Sequence, residues 1–453
     1  MTQYEKMTQT PIPKLILTLS VPTVISMLVT NIYNLVDTAF VGQLGTSASG
    51  AVGVVFGFMS IIQAFGFMFG QGAGSIISRE LGQKDKTSAS AHASIGFIAS
   101  FVFGLLITVF GFAFLDDVVM LLGSTKTIAP YAKTYITYIL ISAPFMSSSL
   151  TLNNILRYEG RASLGMVGLM TGAVLNMIGD PIFMFLLGMD IAGAGLSTAL
   201  SQFVSWCILL AMFLIGKTDT KLGISRIKSG NFLMLFSIMT TGFPSLLRQG
   251  LNSLTTVMLN DVCSDYGDSA VAAMSIVARV TFFAFSLALG IGQGFQPVSG
   301  FNYGAGKYDR LRKAFRFTII VSEVIIVVGC IFLFVFSGGI IGIFRDDSEV
   351  IDIGVRALRL QALAQLVLPP CMAVEMLYQS TGKRLGASVL SSLRNGVIFI
   401  PVLYILAGLR GLSGIQEAQP IALLLSLPIT IPFGISFFRK LPDEQRANPD
   451  FRE

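Results

Sequence analysis

Long apolar stretches alternate with short polar ones along the whole chain. We identify twelve apolar stretches of about 20 or more residues, the length that a helix needs to cross a ~30 Å hydrocarbon core. They cover residues 15–39, 51–76, 92–115, 131–156, 164–187, 191–215, 233–260, 270–295, 314–337, 356–378, 386–408 and 418–438. The strands of a membrane β-barrel would be about 10 residues long with alternating polarity, and that pattern is missing. The pattern therefore predicts an all-α polytopic membrane protein with twelve transmembrane helices.

Composition and charge support this prediction and orient the chain. Hydrophobic residues make up 53% of the sequence and charged residues only 12%, against about 25% charged residues in soluble proteins. Of the 31 Lys and Arg residues, 22 lie at the termini or in the loops after segments 2, 4, 6, 8 and 10. The positive-inside rule then predicts two cytoplasmic termini. We expect a multi-pass protein of a bacterial or archaeal inner membrane, without a cleavable signal peptide and without nucleic-acid binding.

The sequence repeats itself at one constant offset, which places its second half on its first. The residues that match are Pro22 and Pro244, Gly45 and Gly267, Gly82 and Gly304, Gly160 and Gly382, and the GQG stretches at 70–72 and 292–294. We therefore predict two homologous six-helix bundles, residues 1–220 and 221–453, joined near 217–231. Because six is an even number, both bundles enter the membrane in the same direction, and a pseudo-two-fold axis along the membrane normal should relate them.

Motifs for nucleotide binding, metal binding and enzymatic chemistry are missing. The stretch GFNYGAGKY (300–308) fails as a P-loop because Phe301 replaces a required glycine and Tyr308 follows the lysine. The GQGAG run (70–74) lies inside an apolar segment and indicates close helix packing. The single histidine and the absence of GxSxG or HExxH argue against an intramembrane enzyme, and the four scattered cysteines against zinc or disulfides. We expect no cofactor and transport driven by an ion gradient.

The strongest candidate site lies in the stretch LNMIGDPIFMF (175–185). Pro181 breaks the backbone hydrogen bond to the carbonyl of Met177, and Asn176 shares a helix face with Asp180. A carboxylate, an amide oxygen and a freed carbonyl suit a small hard cation. A plain kink, with Asp180 capping a freed amide, is the alternative.

Other ionisable residues also lie within or at the ends of the apolar segments, where charge is costly and commonly functional. Asp37 has Tyr33 on a neighbouring turn; its alternative role is a structural hydrogen bond near a helix end. The second half offers charges that could either function in transport or neutralise one another in structural pairs. These charges are Asp261, Arg279 and Glu375, together with Arg248 and Arg394.

These features in combination resemble the MATE (multidrug and toxic compound extrusion) family. The shared motifs are Asp37 in segment 1, NxxxDP at 176–181, GAGLSTA at 193–199, RELGQKD after segment 2 and NYGAGKYDR after segment 8. The resemblance implies a cation site at Asp37, Asn176, Asp180 and Thr198. It also implies a substrate cavity nearby, to which we assign Tyr33, Asn154, Met177 and Pro181.

The resemblance further implies an antiporter that exports organic, often cationic compounds, so the expected partners are small organic cations or amphipathic drugs. We expect a monomer in the lipid bilayer that exchanges its cargo for H⁺ or Na⁺ by alternating access, because cargo and ion compete for one buried carboxylate cage. No metal is expected beyond a Na⁺ at this cage. The alternatives are a flippase of a lipid-linked sugar, although arginines are few, and an exporter of an endogenous metabolite.

Overall fold

A computed structural model describes residues 2–223, 232–345 and 347–442. Twelve long helices in these residues coincide with the twelve predicted segments. They are α1 (Ile12–Gly42), α2 (Thr46–Gly82), α3 (Lys86–Ala113), α4 (Ala129–Tyr158), α5 (Ala162–Leu186), α6 (Asp190–Leu214), α7 (Phe232–Ser264), α8 (Asp268–Gly304), α9 (Tyr308–Val335), α10 (Ser348–Ser380), α11 (Arg384–Arg410) and α12 (Leu412–Arg439). Three short helices were not predicted: Gln3–Gln9, Leu115–Leu121 and Ser337–Phe344.

Most of the long helices are suited to a membrane. Within the described ranges, 11 helices are long and apolar enough to span a bilayer. The helix missing from this set is α7, which is 33 residues long and carries Arg248, Gln249 and Asn252 within its apolar run. The predicted all-helical, multi-pass class is confirmed, although α7 falls short of these length and composition requirements.

The chain forms two compact units whose limits fall inside α1 and α7. One unit consists of Met1–Tyr4 and Ile25–Leu246, and the other of Glu5–Val24 and Leu247–Glu453. The first part of α1 thus belongs to the second unit, and the first part of α7 to the first unit. The two crossing points, Ile25 and Leu247, are equivalent positions of the sequence repeat, since each lies three positions after a paired proline, Pro22 or Pro244. The predicted division into residues 1–220 and 221–453 stays a prediction.

The repeated glycines occupy equivalent turns in the two halves. Gly45 and Gly267 precede α2 and α8 with φ angles of 108° and 92°, and Gly160 and Gly382 follow α4 and α10 with φ angles of 80° and 79°. These are left-handed conformations, which cost a residue with a Cβ atom free energy and cost glycine little. The backbone requirement of the turns explains why these glycines recur at one offset.

The two GQG stretches pack against the exchanged helix segments. A Cβ atom on Gly72 would lie 2.1 Å from the carbonyl oxygen of Ile238 in α7, within the first unit. A Cβ atom on Gly294 would lie 2.2 Å from Oγ of Ser20 in α1, within the second unit. Only glycine permits such close approach between helices. The predicted packing role of the GQGAG run is therefore confirmed.

Candidate functional site

Close packing between α5 and α6 builds the site in the first unit. A Cβ atom on Gly179 would lie 2.5 Å from Oγ of Ser197, and one on Gly193 would lie 2.6 Å from the backbone of Phe183. After Pro181, α5 widens into a π-helical turn, Ile182–Leu186. Turns of this kind are frequent at functional sites. The glycines and the widened turn bring the polar face of α5 against the start of α6.

A buried hydrogen-bond cluster lies at this helix contact. Nδ2 of Asn176 lies 3.1 Å from Oδ1 of Asp180, 3.3 Å from Oγ1 of Thr198 and 3.3 Å from Oγ of Ser197. The Ser197 hydroxyl donates to the carbonyl of Asn176 over 3.2 Å. All four side chains are buried, and Asp180 is fully excluded from solvent (0% exposed). The structure therefore brings three of the four predicted cation-site residues, Asn176, Asp180 and Thr198, into one cluster.

Asp37, the fourth predicted ligand, completes an acidic pair. It lies half-buried on α1, and its carboxyl group interacts electrostatically with that of Asp180. Neither carboxylate forms an ion pair with Lys, Arg or His in the part of the chain that the structure describes. A half-buried and a buried acid side by side, without a basic partner, are costly to keep ionised together.

Three buried oxygens of this cluster have no hydrogen-bond partner among the described residues. They are Oδ1 of Asp37, Oδ1 of Asn176 and Oδ2 of Asp180. Unpaired buried acceptors are rare in folded proteins and call for an explanation. Carboxylate and amide oxygens are the ligands that hard cations take. The donor set fits a proton or a monovalent cation such as Na⁺, whereas no group of three or more His, Cys, Asp or Glu side chains that could hold a metal occurs in the described ranges.

Two tyrosines border the acidic pair. Tyr33 on α1 and Tyr135 on α4 both interact electrostatically with Asp37 and Asp180. The sequence predicts a cavity-lining role for Tyr33, but it does not single out Tyr135, which is fully buried. Ser197 was also missed, although its position beside Thr198 in the GAGLSTA run was an available signal. The sequence offers no such signal for Tyr135, because only the tertiary packing of α4 brings this residue to the acidic pair.

The remaining predicted cavity residues have different surroundings. Met177 and Pro181 lie half-buried on α5 beside the cluster. Asn154 is buried on α4, where its Nδ2 donates to the carbonyl of Leu150 over 2.7 Å and its Oδ1 accepts a hydrogen bond from Arg157. The hydrogen bonds of Asn154 therefore lie outside the Asp180 cluster.

The charges predicted in the second unit do not form one site. Glu375 is buried and accepts hydrogen bonds of 2.8 Å from Arg248 and 2.8 Å from Ser391, so it has a basic partner where Asp180 has none. Asp261 and Arg279 are exposed on α7 and α8. No ion pair joins either of them to Glu375 in the described residues.

Comparison with known sequences decides the family. The MatE profile matches residues 22–182 and 244–405, so the two matched regions begin at the paired prolines, Pro22 and Pro244. The chain belongs to the MatE family. It is therefore a multi-pass membrane transporter rather than an enzyme, and the MATE resemblance of its motifs is confirmed.

Relatives and solved structures of the family match nearly the whole chain. A Multidrug export protein MepA of Staphylococcus aureus (strain MSSA476) is 28% identical over 408 residues, which are 90% of each chain. A crystal structure of MATE in complex with MaL6 has a TM-score of 0.92 at 25% identity and covers 97% of this chain and 99% of its own. An outward-facing multidrug resistance MATE family transporter of the MOP superfamily has a TM-score of 0.91 at 26% identity, with 98% and 99% coverage.

Proposed function

We propose that this MATE protein is a secondary active antiporter that exports organic, often cationic compounds in exchange for H⁺ or Na⁺. The observation that carries the proposal is the acidic pair of half-buried Asp37 and buried Asp180, which has no basic partner in the described residues and keeps buried oxygen atoms without hydrogen bonds. The relatives named as multidrug export proteins support the choice of cargo. The ion-binding residues in this proposal are Asp37, Asn176, Asp180 and Thr198.

Competition for one negative cluster would couple the two fluxes. A buried carboxylate without a counter-charge is stabilised by a proton, a Na⁺ or an organic cation. If these partners exclude one another, entry of the ion releases the cargo. Inward movement of a cation gains about 2.3 kcal/mol per charge for each 100 mV of membrane potential. Alternating access, in which the protein exposes the site to each side in turn, is the transport cycle that we propose.

The proposed orientation places both termini in the cytoplasm of a bacterial or archaeal cell, with the protein in its inner membrane as a monomer. Its support is the excess of Lys and Arg in alternate loops. Of the 22 basic residues counted, Arg226, Lys228, Arg446 and Arg452 lie outside the described residues.

Dye efflux from vesicles tests the proposed function. The protein is reconstituted into liposomes loaded with ethidium, and a Na⁺ gradient and a pH gradient are imposed separately. We expect at least one gradient to drive ethidium movement, and ionophores that collapse that gradient to stop it. The same rate of ethidium movement with both gradients collapsed would show that export is not ion-coupled.

A further inference from the structure

A second group of buried charges lies in the second unit and is basic overall. Glu375 on α10 accepts a hydrogen bond from Nη1 of Arg248 on α7 over 2.8 Å. Nη2 of Arg394 on α11 lies 3.7 Å from the other carboxylate oxygen, which is beyond hydrogen-bond distance. Two guanidinium groups thus share one carboxylate, and the three side chains carry a net charge of +1.

Arg394 is the unsatisfied member of this group. Its residue is only 8% exposed, and it makes no hydrogen bond within the described residues. Its contacts are the ion pair with Glu375 and the ring of Phe285, whose centroid lies 5.3 Å from Cζ. Arginine carries five donors and stays charged. None of its nitrogens is among the fully buried atoms without a partner in the described residues, so these donors are open to an acceptor from outside the chain.

The repeat shows that the fold does not need these charges. At the equivalent positions, the first half has Ser26, Asn153 and Gly172 in place of Arg248, Glu375 and Arg394. The same helical framework therefore forms without them.

The backbone at Arg394 is also irregular. Residues Leu393–Val397 form a π-helical turn inside α11, and turns of this kind occur frequently at functional sites. The first half has its π-helical turn at Ile182–Leu186, directly after Asp180 and Pro181. In each unit a buried, incompletely paired charge thus lies at or beside a widened turn, with a negative charge in the first unit and a positive charge in the second.

We propose that Arg394 binds the carboxylate of an organic substrate, with Glu375 and Phe285 holding the guanidinium in place. A carboxylate accepts two parallel hydrogen bonds from one guanidinium, which would satisfy donors that the chain leaves unused. The occupant is an amphipathic compound with a free carboxylate, and its binding would neutralise the net charge of the group. The inference rests on the proposed function in that the cargo is an organic compound, and it adds acidic and zwitterionic compounds to the cations.

Equilibrium binding of two matched dyes tests this site. Tetramethylrhodamine carries a free carboxylate, and its methyl ester lacks only that charge. Fluorescence polarisation with the full chain in phosphatidylcholine nanodiscs gives a dissociation constant for each dye. We expect Arg394→Gln to weaken binding of the free acid by about tenfold or more and to leave the ester unchanged. Arg394→Lys keeps the positive charge but lacks the two parallel donors of a guanidinium group. Its loss of affinity for the free acid should therefore lie between those of the unaltered protein and Arg394→Gln.

Controls separate binding from a structural role. Arg316→Gln, at an exposed position on α9, should change neither dissociation constant. The melting temperature of Arg394→Gln without dye should equal or exceed that of the unaltered protein, since Glu375 keeps Arg248 as its partner. Equal losses for acid and ester, or no loss for either, would overturn the proposal.

The anion could instead come from a lipid headgroup, and a second arm distinguishes that source. Melting temperatures are compared in nanodiscs with and without phosphatidylglycerol. Arg394→Gln could remove an increase in melting temperature that depends on phosphatidylglycerol and leave the ratio of acid to ester affinity unchanged. In that case Arg394 holds a lipid phosphate and the proposal is wrong. Because the dye readout is binding, a failure of gradient-driven ethidium efflux would count against the antiport function and leave this test intact.

Discussion

Asn176 lies one helical turn before Asp180, and its amide nitrogen donates to Oδ1 of that carboxylate over 3.1 Å. The bond orients both side chains and uses one carboxylate oxygen. Oδ2 of Asp180 and Oδ1 of Asn176 keep no partner among the described residues. The pair is therefore held in place while two acceptor oxygens stay available to an ion.

Neutralising Asp180 should abolish coupled export. The substitution Asp180→Asn keeps the size of the side chain and removes its charge, so the cluster loses its attraction for a proton, Na⁺ or a cationic substrate. We expect ethidium efflux to fall by at least about tenfold, equivalent to roughly 1.4 kcal/mol, at equal amounts of protein in the membrane. Asp190→Asn is the control, because Asp190 is exposed at the start of α6 and asparagine tolerates its positive φ angle. Efflux at the unaltered rate in Asp180→Asn would refute the coupling site.

Removing a neutral oxygen should distinguish Na⁺ from H⁺ as the coupling ion. Thr198→Val deletes a hydroxyl group but keeps the shape and the two carboxylates. If Na⁺ is the ion, the Na⁺ concentration for half-maximal efflux should rise by about tenfold, since a hard cation needs several oxygen ligands. If H⁺ is the ion, the pH dependence of efflux should stay unchanged because a proton needs the carboxylates alone. A large fall in efflux at saturating Na⁺ and at every pH would contradict both expectations.

Adding one methyl group to the GQG stretch of α2 should destabilise the first unit. In Gly72→Ala the new Cβ would lie 2.1 Å from the carbonyl oxygen of Ile238, so two backbones must separate. We expect a loss of about 1–3 kcal/mol, measured as a lower melting temperature in detergent. Gly57→Ala, on the same helix with open space around its Cβ, should melt at the same temperature as the unaltered protein or slightly higher, because alanine favours the helix. Equal melting temperatures for both variants would show that the close contact carries no stability.

A buried acid outside the membrane-spanning helices holds the chain just after α6. Glu159, at the end of α4, is 0% exposed. It accepts hydrogen bonds from the backbone nitrogens of Asp219 (3.0 Å) and Thr220 (3.2 Å) and from the Thr220 hydroxyl. Arg161 lies 3.8 Å from Glu159 and 3.0 Å from Asp219, and Lys86 pairs with Asp219 over 2.9 Å. Burial raises the pKa of Glu159 to about 7 despite these donors.

Docking of this segment should therefore weaken as the pH rises. The pKa of Glu159 in the docked state lies above its ordinary value of 4.5, so the docked state favours the protonated carboxyl group. Its contribution to docking is therefore complete below pH 4.5 and is lost as the pH rises to about 7. Between pH 6 and pH 8 the protection of the Asp219 and Thr220 amides from hydrogen exchange should fall by up to about tenfold, after correction for intrinsic exchange.

Glu159→Gln supplies the matched control for this pH dependence. Glutamine has the same size and no titrating proton, so amide protection in the variant should be equal at pH 6 and pH 8. Asp219, Arg161 and Lys86 remain in place in the variant, so their own contributions are common to both proteins. A fall in protection of the same size in Glu159→Gln would assign the pH dependence to another group.

Local properties of the sequence are sufficient for the helices and for part of the site. Burial in lipid requires about 20 apolar residues in a row, and all twelve segments were recognised by that property alone. Asn176 and Asp180 could be paired because a helix places residues four apart on one face. The repeat marked Gly45 and Gly267 as equivalent positions, but their left-handed turns were seen only in the structure.

Contacts between residues far apart in the chain required the tertiary structure. Nothing near Tyr135 in sequence indicates that it borders Asp180, because helix packing alone brings α4 to α5. The same holds for Ile238 against Gly72 and for Arg394 beside Glu375. The sequence by itself determined where helices form and where charge enters them, since hydrophobicity and helical periodicity are local. Which charged side chains form ion pairs was decided only by the packing of the helices, because this packing brings together side chains that lie many residues apart in the chain.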